Sequence, residues 1–276
     1  MIKPLARTIN QLIRPLGIQV NRIVESGYAP DQLVPKILYS LTVEELHDAL
    51  VQYQFPDLPY TEGRKELLYK LMGTTISEAM WILDALHQSM TLPGDVCEFG
   101  VAHGATSALL ANEIRSTNKN LWLFDSFEGL PAPTEKDILI DDIEGLGSME
   151  AYEGVYSYRQ EVVVNRLKGI KFPSSRTKIV PGFIEETVKT ATLPEAVSFA
   201  YIDFDFYEPI QVGLDFLKDV LSPGGYVVID DYGFFSAGAQ SAVDEFIEAN
   251  KDNFTFELPP KWARHFAIIR KNPASS

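Results

Sequence analysis

Four aspartates stand out in two pairs, Asp203 and Asp205 in SFAYIDFD and Asp230 and Asp231 in GGYVVIDD. Each pair closes an apolar run of strand type. Neighbouring parallel strands lie about 4.8 Å apart, so the carboxylates should converge. Four such charges repel and raise one another's pKa unless a cation sits among them. A hard divalent ion, Mg2+ above all, suits an all-oxygen set. Alternation along a strand puts Asp203 and Asp205 on one face, whereas the adjacent Asp230 and Asp231 must be splayed by a turn. The plainer alternative is that two of the four only cap following helices.

A second constellation lies upstream, in Glu98-Phe99-Gly100-Val101-Ala102-His103-Gly104-Ala105-Thr106-Ser107. Gly100 and Gly104 let the backbone turn tightly and approach a ligand closely. The spacing is GxxxG and not the GxGxxG that seats a dinucleotide pyrophosphate on a helix N-terminus. An acid just ahead of the first glycine suits a ligand with an ammonium group, as methionine has. Asp125 ends the next apolar run, LWLFD, where an acid can accept hydrogen bonds from both ribose hydroxyls. Each signal has a structural reading too, since glycine turns and strand-end aspartates also simply shape loops. His103 and His265 are candidate bases, and Tyr207, Trp262 and Arg264 candidate walls of an acceptor pocket, although packing is the commoner role of such side chains.

These residues need a scaffold that gathers strand ends. Apolar residues recur at helical spacing from Thr75 to Met90, and Pro93-Gly94 breaks the chain. Strands and helices then alternate. DVCEFG, LWLFD, RTKIVPG, SFAYIDFD and GGYVVIDD read as strands, and helices begin near Ala105, before Glu185, near Pro209 and at AVDEFIEAN. FTFEL and HFAIIRK close the series as an antiparallel pair. Apolar strands separated by helices predict a doubly wound α/β sheet, whose ligands bind beyond the carboxyl ends of the strands. Residues 131 to about 160 lack periodicity and follow the second strand directly; a segment so long and so placed reads as a lid. Residues 1 to about 60 read as short helices punctuated by Pro30, Pro35, Pro56 and Pro59, with a capping box at Thr42 and Glu45.

A length of 276 residues with 46% apolar and 22% charged side chains suits one large α/β domain, or one with a helical extension. The net charge of −14 argues against nucleic acid as a partner. No apolar run is long enough to span a bilayer. The sole cysteine, Cys97, excludes an internal disulfide or a cysteine zinc site and reads as a buried thiol, which fits a reducing cytoplasm. Lys3, Arg7, Arg14 and Arg22 precede the first acid, Glu25, with isoleucines and leucines between them. Such a basic arm is expected to pack on the domain or on a second subunit of a homo-oligomer. Pro4, Pro15 and Gly17 interrupt the helix that a membrane contact would need.

Taken together, EFGVAHGATS, FDSFEGLP, the PGF segment, IDFDFYEP and GGYVVIDDYG resemble the macrocin O-methyltransferase family, which methylates deoxysugar hydroxyls of macrolide and related antibiotics. The likeness runs from about Gly73 to the end. It implies a seven-stranded, Rossmann-like S-adenosylmethionine-dependent methyltransferase domain over 73–276, behind an N-terminal helical extension over 1–72. It further implies Mg2+ on Asp203, Asp230 and Asp231. Glu98, Gly100, Gly104 and Ser107 would surround the methionine end of S-adenosylmethionine, Asp125 and Ser126 its ribose, and Gly182 and Phe183 its adenine. The family usually carries an aromatic, an arginine and a doubled glycine in the first loop, where this chain reads AHGA.

The expected chemistry is in-line methyl transfer to a small-molecule hydroxyl acceptor with a vicinal diol. Mg2+ would acidify that hydroxyl, and Asp203 or Asp205 would take its proton. A nicotinamide-dependent oxidoreductase shares the sheet, but lacks reason for the four acids; a noncatalytic binding protein has still less.

Overall fold

The computed structural model describes residues 30–263 and 265–274, with side chains from Tyr39 onward. The basic arm with Lys3, Arg7, Arg14 and Arg22, and the side chain of Arg264, therefore lie outside the described residues. By compactness the chain divides into Met1–Leu46 and His47–Ser276. The boundary falls inside the first described helix, α1 (Pro30–Tyr53), so residues 47–72 belong to the unit that contains the sheet. One helix of 24 residues replaces the short helices expected here: its backbone runs on through Pro35, and Thr42 lies in its interior instead of capping a start. No described helix is long and apolar enough to cross a membrane.

The second unit is built on seven strands in the order β3-β2-β1-β4-β5-β7-β6. In chain order these are β1 (Asp95–Phe99), β2 (Leu121–Asp125), β3 (Thr177–Pro181), β4 (Val197–Ile202), β5 (Leu221–Ile229), β6 (Phe254–Glu257) and β7 (Ala267–Lys271). The first five are parallel, and β7 pairs antiparallel with both β5 and β6. The order reverses between β1 and β4, which is where a doubly wound sheet opens its crevice. Helices α2 (Arg64–Tyr69), α3 (Ile76–Gln88), α4 (Ala105–Glu113) and α5 (Gln160–Gly169) form one contacting set. Helices α6 (Ile184–Thr190), α7 (Tyr207–Val220) and α8 (Ala237–Asn250) form another. Ile210, Leu214 and Leu217 of α7 and Val243 of α8 pack on Phe99, Phe124, Ile202 and Ile229 of the strands, as apolar strands covered by amphipathic helices must.

One buried ionic knot ties α2, α3 and α4 together. Glu113 accepts hydrogen bonds from Arg64 Nη2 at 2.6 Å, Arg64 Nε at 2.9 Å and Thr61 Oγ1 at 2.7 Å, and lies 2.7 Å from His87 Nε2. Burial alone would raise its carboxyl, but Arg64 and the other donors outweigh that and hold it at about 2. An acid with a depressed folded-state pKa contributes stability that is complete above its ordinary value, near 4.5, and is lost as pH falls toward about 2. Glu113→Gln should lower the unfolding free energy by about 3–5 kcal/mol at pH 7, because Arg64 is left buried without its charge partner. The loss should shrink below about pH 4. Urea titrations at pH 7 and pH 3.5 check this, and an equal loss at both would show that the charge is not responsible.

Candidate active site

The register of the strands lines up the site. Val180, Phe124, Phe99, Ile202 and Ile229 are cross-strand neighbours in one row, so the next residue of each strand, Pro181, Asp125, Gly100, Asp203 and Asp230, forms a second row along the carboxyl edge. Backbone hydrogen bonds continue into that row, from Asp203 N to Phe99 O at 2.7 Å and from Asp230 N to Ile202 O at 2.8 Å. A cavity of about 470 Å³ opens over it, within the range of small-molecule sites.

The cofactor half of the row is organised by Asp125. Its Oδ2 accepts from Val101 N at 2.7 Å and Ala102 N at 2.9 Å, and its Oδ1 from Phe127 N at 2.6 Å. The carboxylate expected to hold a ribose thus also pins the glycine loop, and Ala102 and Phe127 take left-handed backbone angles around it. Ser126 closes the adjacent turn, donating to Gly129 O and accepting from Glu128 N, so its hydroxyl is already engaged. Gly100, Asp125, Ser126, Gly182 and Phe183 line the cavity; Glu98, Gly104 and Ser107 do not, and lie behind the loop. Glu98 is fully buried, and burial pushes its carboxyl up to about 8, with Ser107 close enough to draw it down only in part. Ser107 is nonetheless outside hydrogen-bonding geometry, and both Glu98 Oε2 and Ser107 Oγ are left without partners. Neither atom faces the cavity, so the fit of the loop to S-adenosylmethionine rests on Gly100, Ala102 and Asp125, which do: the glycine lets the backbone approach a ligand closely and the carboxylate offers acceptors to ribose hydroxyls.

Asp125→Ala should weaken S-adenosylmethionine binding by about tenfold to a hundredfold, since it removes charge-assisted acceptors and releases the loop. Calorimetric titration reads this directly, and an unchanged affinity would reject the role of Asp125.

The other half of the row is acidic. Asp203, Asp205, Asp230 and Asp231 all line the cavity, but β4 ends at Ile202 and β5 at Ile229, so none of the four lies within a strand. Strand alternation therefore does not set the face of Asp205. A left-handed turn does, with φ of 64° at Asp205 and 56° at Asp231. Left-handed backbone at non-glycine residues is a strain that clusters at functional sites. Burial, then the charge of Asp230, raises the Asp203 carboxyl well above its usual range. Burial, then Asp203, raises Asp205 to about 8. Among the described residues no three His, Cys, Asp or Glu side chains are already arranged as a cation cage. The donor chemistry still suits a hard cation, because crowded acids of raised pKa are what a divalent ion would relieve.

Other expectations fare differently. His103 and His265 line the cavity, whereas Tyr207 and Trp262 do not. The Tyr207 hydroxyl instead donates to Glu245, and Trp262 is 57% exposed. Burial lowers the His103 pKa, with Arg166 adding to the effect, so it is neutral at pH 7. Its ring meets that of Tyr158 at 5.4 Å. Tyr156, Tyr158 and Phe234 also line the cavity and were not singled out by sequence, although the tyrosine-rich run GVYSY was a signal.

The chain has an α/β methyltransferase fold: the solved O-methyltransferase NovP superposes with a TM-score of 0.63 at 22% identity, over 85% of this chain and 99% of that one. The calicheamicin methyltransferase CalS11 superposes with a TM-score of 0.57 at 18% identity, over 92% of this chain and 98% of that one. The macrocin-O-methyltransferase (TylF) family profile matches residues 72–256, and the chain belongs to that family. Similar curated proteins include demethyldecarbamoylnovobiocin O-methyltransferase of Streptomyces niveus, 28% identical over 160 residues, 56% of this chain and 58% of the relative. Another is 8-demethyl-8-(2,3-dimethoxy-alpha-L-rhamnosyl)-tetracenomycin-C 4'-O-methyltransferase of Streptomyces olivaceus, 30% identical over 144 residues, 51% of this chain and 54% of the relative. The chain thus spans little more than half the length of these curated relatives.

Proposed function

We propose that this protein transfers a methyl group from S-adenosylmethionine to a hydroxyl of a sugar or natural-product acceptor carrying a vicinal diol, assisted by Mg2+ at Asp203, Asp230 and Asp231. The observation that carries the reading is the single cavity in which the Asp125-pinned glycine loop meets the four acids. Family membership supports the methyl transfer, and one relative's name specifies a 2,3-dimethoxyrhamnosyl acceptor, which supports a sugar hydroxyl and not the diol. When bound, the cofactor would supply an electrophilic methyl group and the cation would lower the pKa of the acceptor hydroxyl.

The chain's own residues do the rest. The glycine loop, backed by the buried Glu98, orients the methionine end, while Asp125, Gly182 and Phe183 hold the nucleoside. Asp205 or Asp203 accepts the hydroxyl proton as the oxygen–methyl bond forms and the sulfur–methyl bond breaks. Burial and the charge of Asp203 raise the Asp205 carboxyl, and a cation beside it would restore the ionised form that can take the proton. Segment 131–160 serves as the lid. Ile143 and Leu146 stand exposed to water, and Ile143 already reaches the cavity. Closing them over an acceptor would exclude water from the transfer.

Calorimetry with S-adenosylmethionine and with NAD, followed by a screen of vicinal-diol glycosides for methyl transfer, tests the reading. S-adenosylmethionine should bind and NAD should not, and hydrogen exchange over 141–148 should slow only with cofactor and acceptor together. Binding of NAD alone would favour an oxidoreductase on the same sheet. Binding of neither would leave the fold without this function.

A further inference from the structure

Glu78 looks at first like a helix cap and nothing more. It is the N3 residue of α3, where Thr75 Oγ1 accepts from Glu78 N at 3.3 Å and Glu78 Oε2 accepts from Thr75 N at 3.4 Å. A capping box is served equally well by a carboxylate in water. Here the side chain is 1% exposed, and a polar group so deeply buried is costly unless it is hydrogen-bonded.

The second oxygen shows the use. Glu78 Oε1 lies 3.2 Å from the hydroxyl of Tyr201, a residue of β4 that is itself 0% exposed. The same hydroxyl lies 3.0 Å from Asp230 Oδ2 and 3.4 Å from Asp203 Oδ2. One phenol therefore faces three carboxylates, brought from the helix before the sheet and from the ends of β4 and β5. A phenol has one proton to donate, so its acceptors compete and the orientation of each depends on the others. The preceding residues reinforce the connection: Met72 and Gly73 line the cavity, and Thr74 Oγ1 lies 3.0 Å from Thr106 Oγ1 at the start of α4.

We propose that Glu78 is a positioning residue for the acidic site: it holds the Tyr201 hydroxyl, and through it sets the orientation in which Asp203 and Asp230 present their oxygens to a divalent cation. Glu78, the phenol and the two aspartates thus form one connected set of side chains, with Glu78 anchoring it from the helix side. This rests on the metal reading proposed above.

The test uses the full chain and Mn2+ as the probe, read by calorimetry, with thermal midpoint and S-adenosylmethionine affinity as measures of folding. Tyr201→Phe keeps the buried ring and removes only the hydroxyl; Glu78→Gln keeps an acceptor and removes only the charge. Tyr201→Phe and Glu78→Ala should weaken Mn2+ binding by about tenfold to a hundredfold, as loss of an outer hydrogen-bond partner does, while Glu78→Gln should stay within about threefold of the wild type. Wild-type protein that binds no Mn2+ would overturn the metal reading itself. Wild-type binding with unaltered affinity in Tyr201→Phe and Glu78→Ala would overturn this inference alone. A Glu78→Gln loss as large as that of Glu78→Ala would also overturn it, since the charge and not the hydrogen bond would then be at work.

Discussion

Stripped of divalent cations, the protein should bind S-adenosylmethionine with nearly full affinity and yet fail to methylate its acceptor. The separation follows from the two halves of the strand-end row: Asp125 and the glycine loop stand on one side, and Asp203, Asp230 and Asp231 on the other. The sulfonium carries its own activation, so a cation has work to do only on the acceptor hydroxyl. Mg2+ added back should restore the rate. Asp230→Asn should reproduce the chelated state, because one anionic oxygen ligand becomes neutral. Asp205→Asn, if that residue is the proton acceptor, should leave Mn2+ binding intact and lower kcat by roughly 10²–10⁴. Full activity of protein verified as metal-free would remove the cation from the reaction and make His103 or His265 the leading base.

The second large effect is structural. Gly100 has a φ of 84°, and a Cβ placed there would run into the backbone carbonyl of Asp203, the residue just past the end of β4. Gly100→Ala should therefore cost about 3–5 kcal/mol, from left-handed strain and from parting β1 and β4 where cofactor loop and acids meet. The corresponding fall in Tm is roughly 10 °C or more. Gly145 is the comparison, with a φ of 70° and nothing within 4 Å of the added carbon. Gly145→Ala should show the backbone strain alone, about 1–2 kcal/mol. Equal losses in the two variants would mean that the close approach of the strands contributes nothing.

Much of this architecture was legible because apolar strand runs announce a covered parallel sheet whatever their long-range partners. The positions of Asp125, Asp203 and Asp230 at the carboxyl edge follow from where those runs stop. Local patterns misled where a longer-range structure absorbed them. Thr42 and Glu45 have capping-box spacing, yet α1 had already begun at Pro30. The face of Asp205 could not be read, because alternation ends with the strand at Ile202 and a left-handed turn takes over. Glu78 was invisible for the opposite reason. Its cap accounts for it locally, and nothing in the sequence says that Tyr201 waits on its other side. Tyr207 and Trp262 illustrate the converse, aromatics of inviting type whose helix position and exposure keep them off the cavity.

The long segment after β2 is moored at both ends. Leu139 bridges to Ser236, and Met149 and Tyr152 are buried beside Phe206 and Phe235. Asp137 adds a further tie, accepting from Tyr207 N at 2.8 Å and Ser236 Oγ at 3.0 Å. Between these moorings the chain from Asp141 to Ser148 is exposed throughout. Chain added to such a stretch is thermodynamically cheap, since doubling a loop costs only about 0.6 kcal/mol in closure entropy. Insertions, deletions and exchanges there should therefore leave the β-sheet undisturbed. The fold thus carries a length-tolerant span at the mouth of the cavity, set apart from the rigid row of strand ends beneath it.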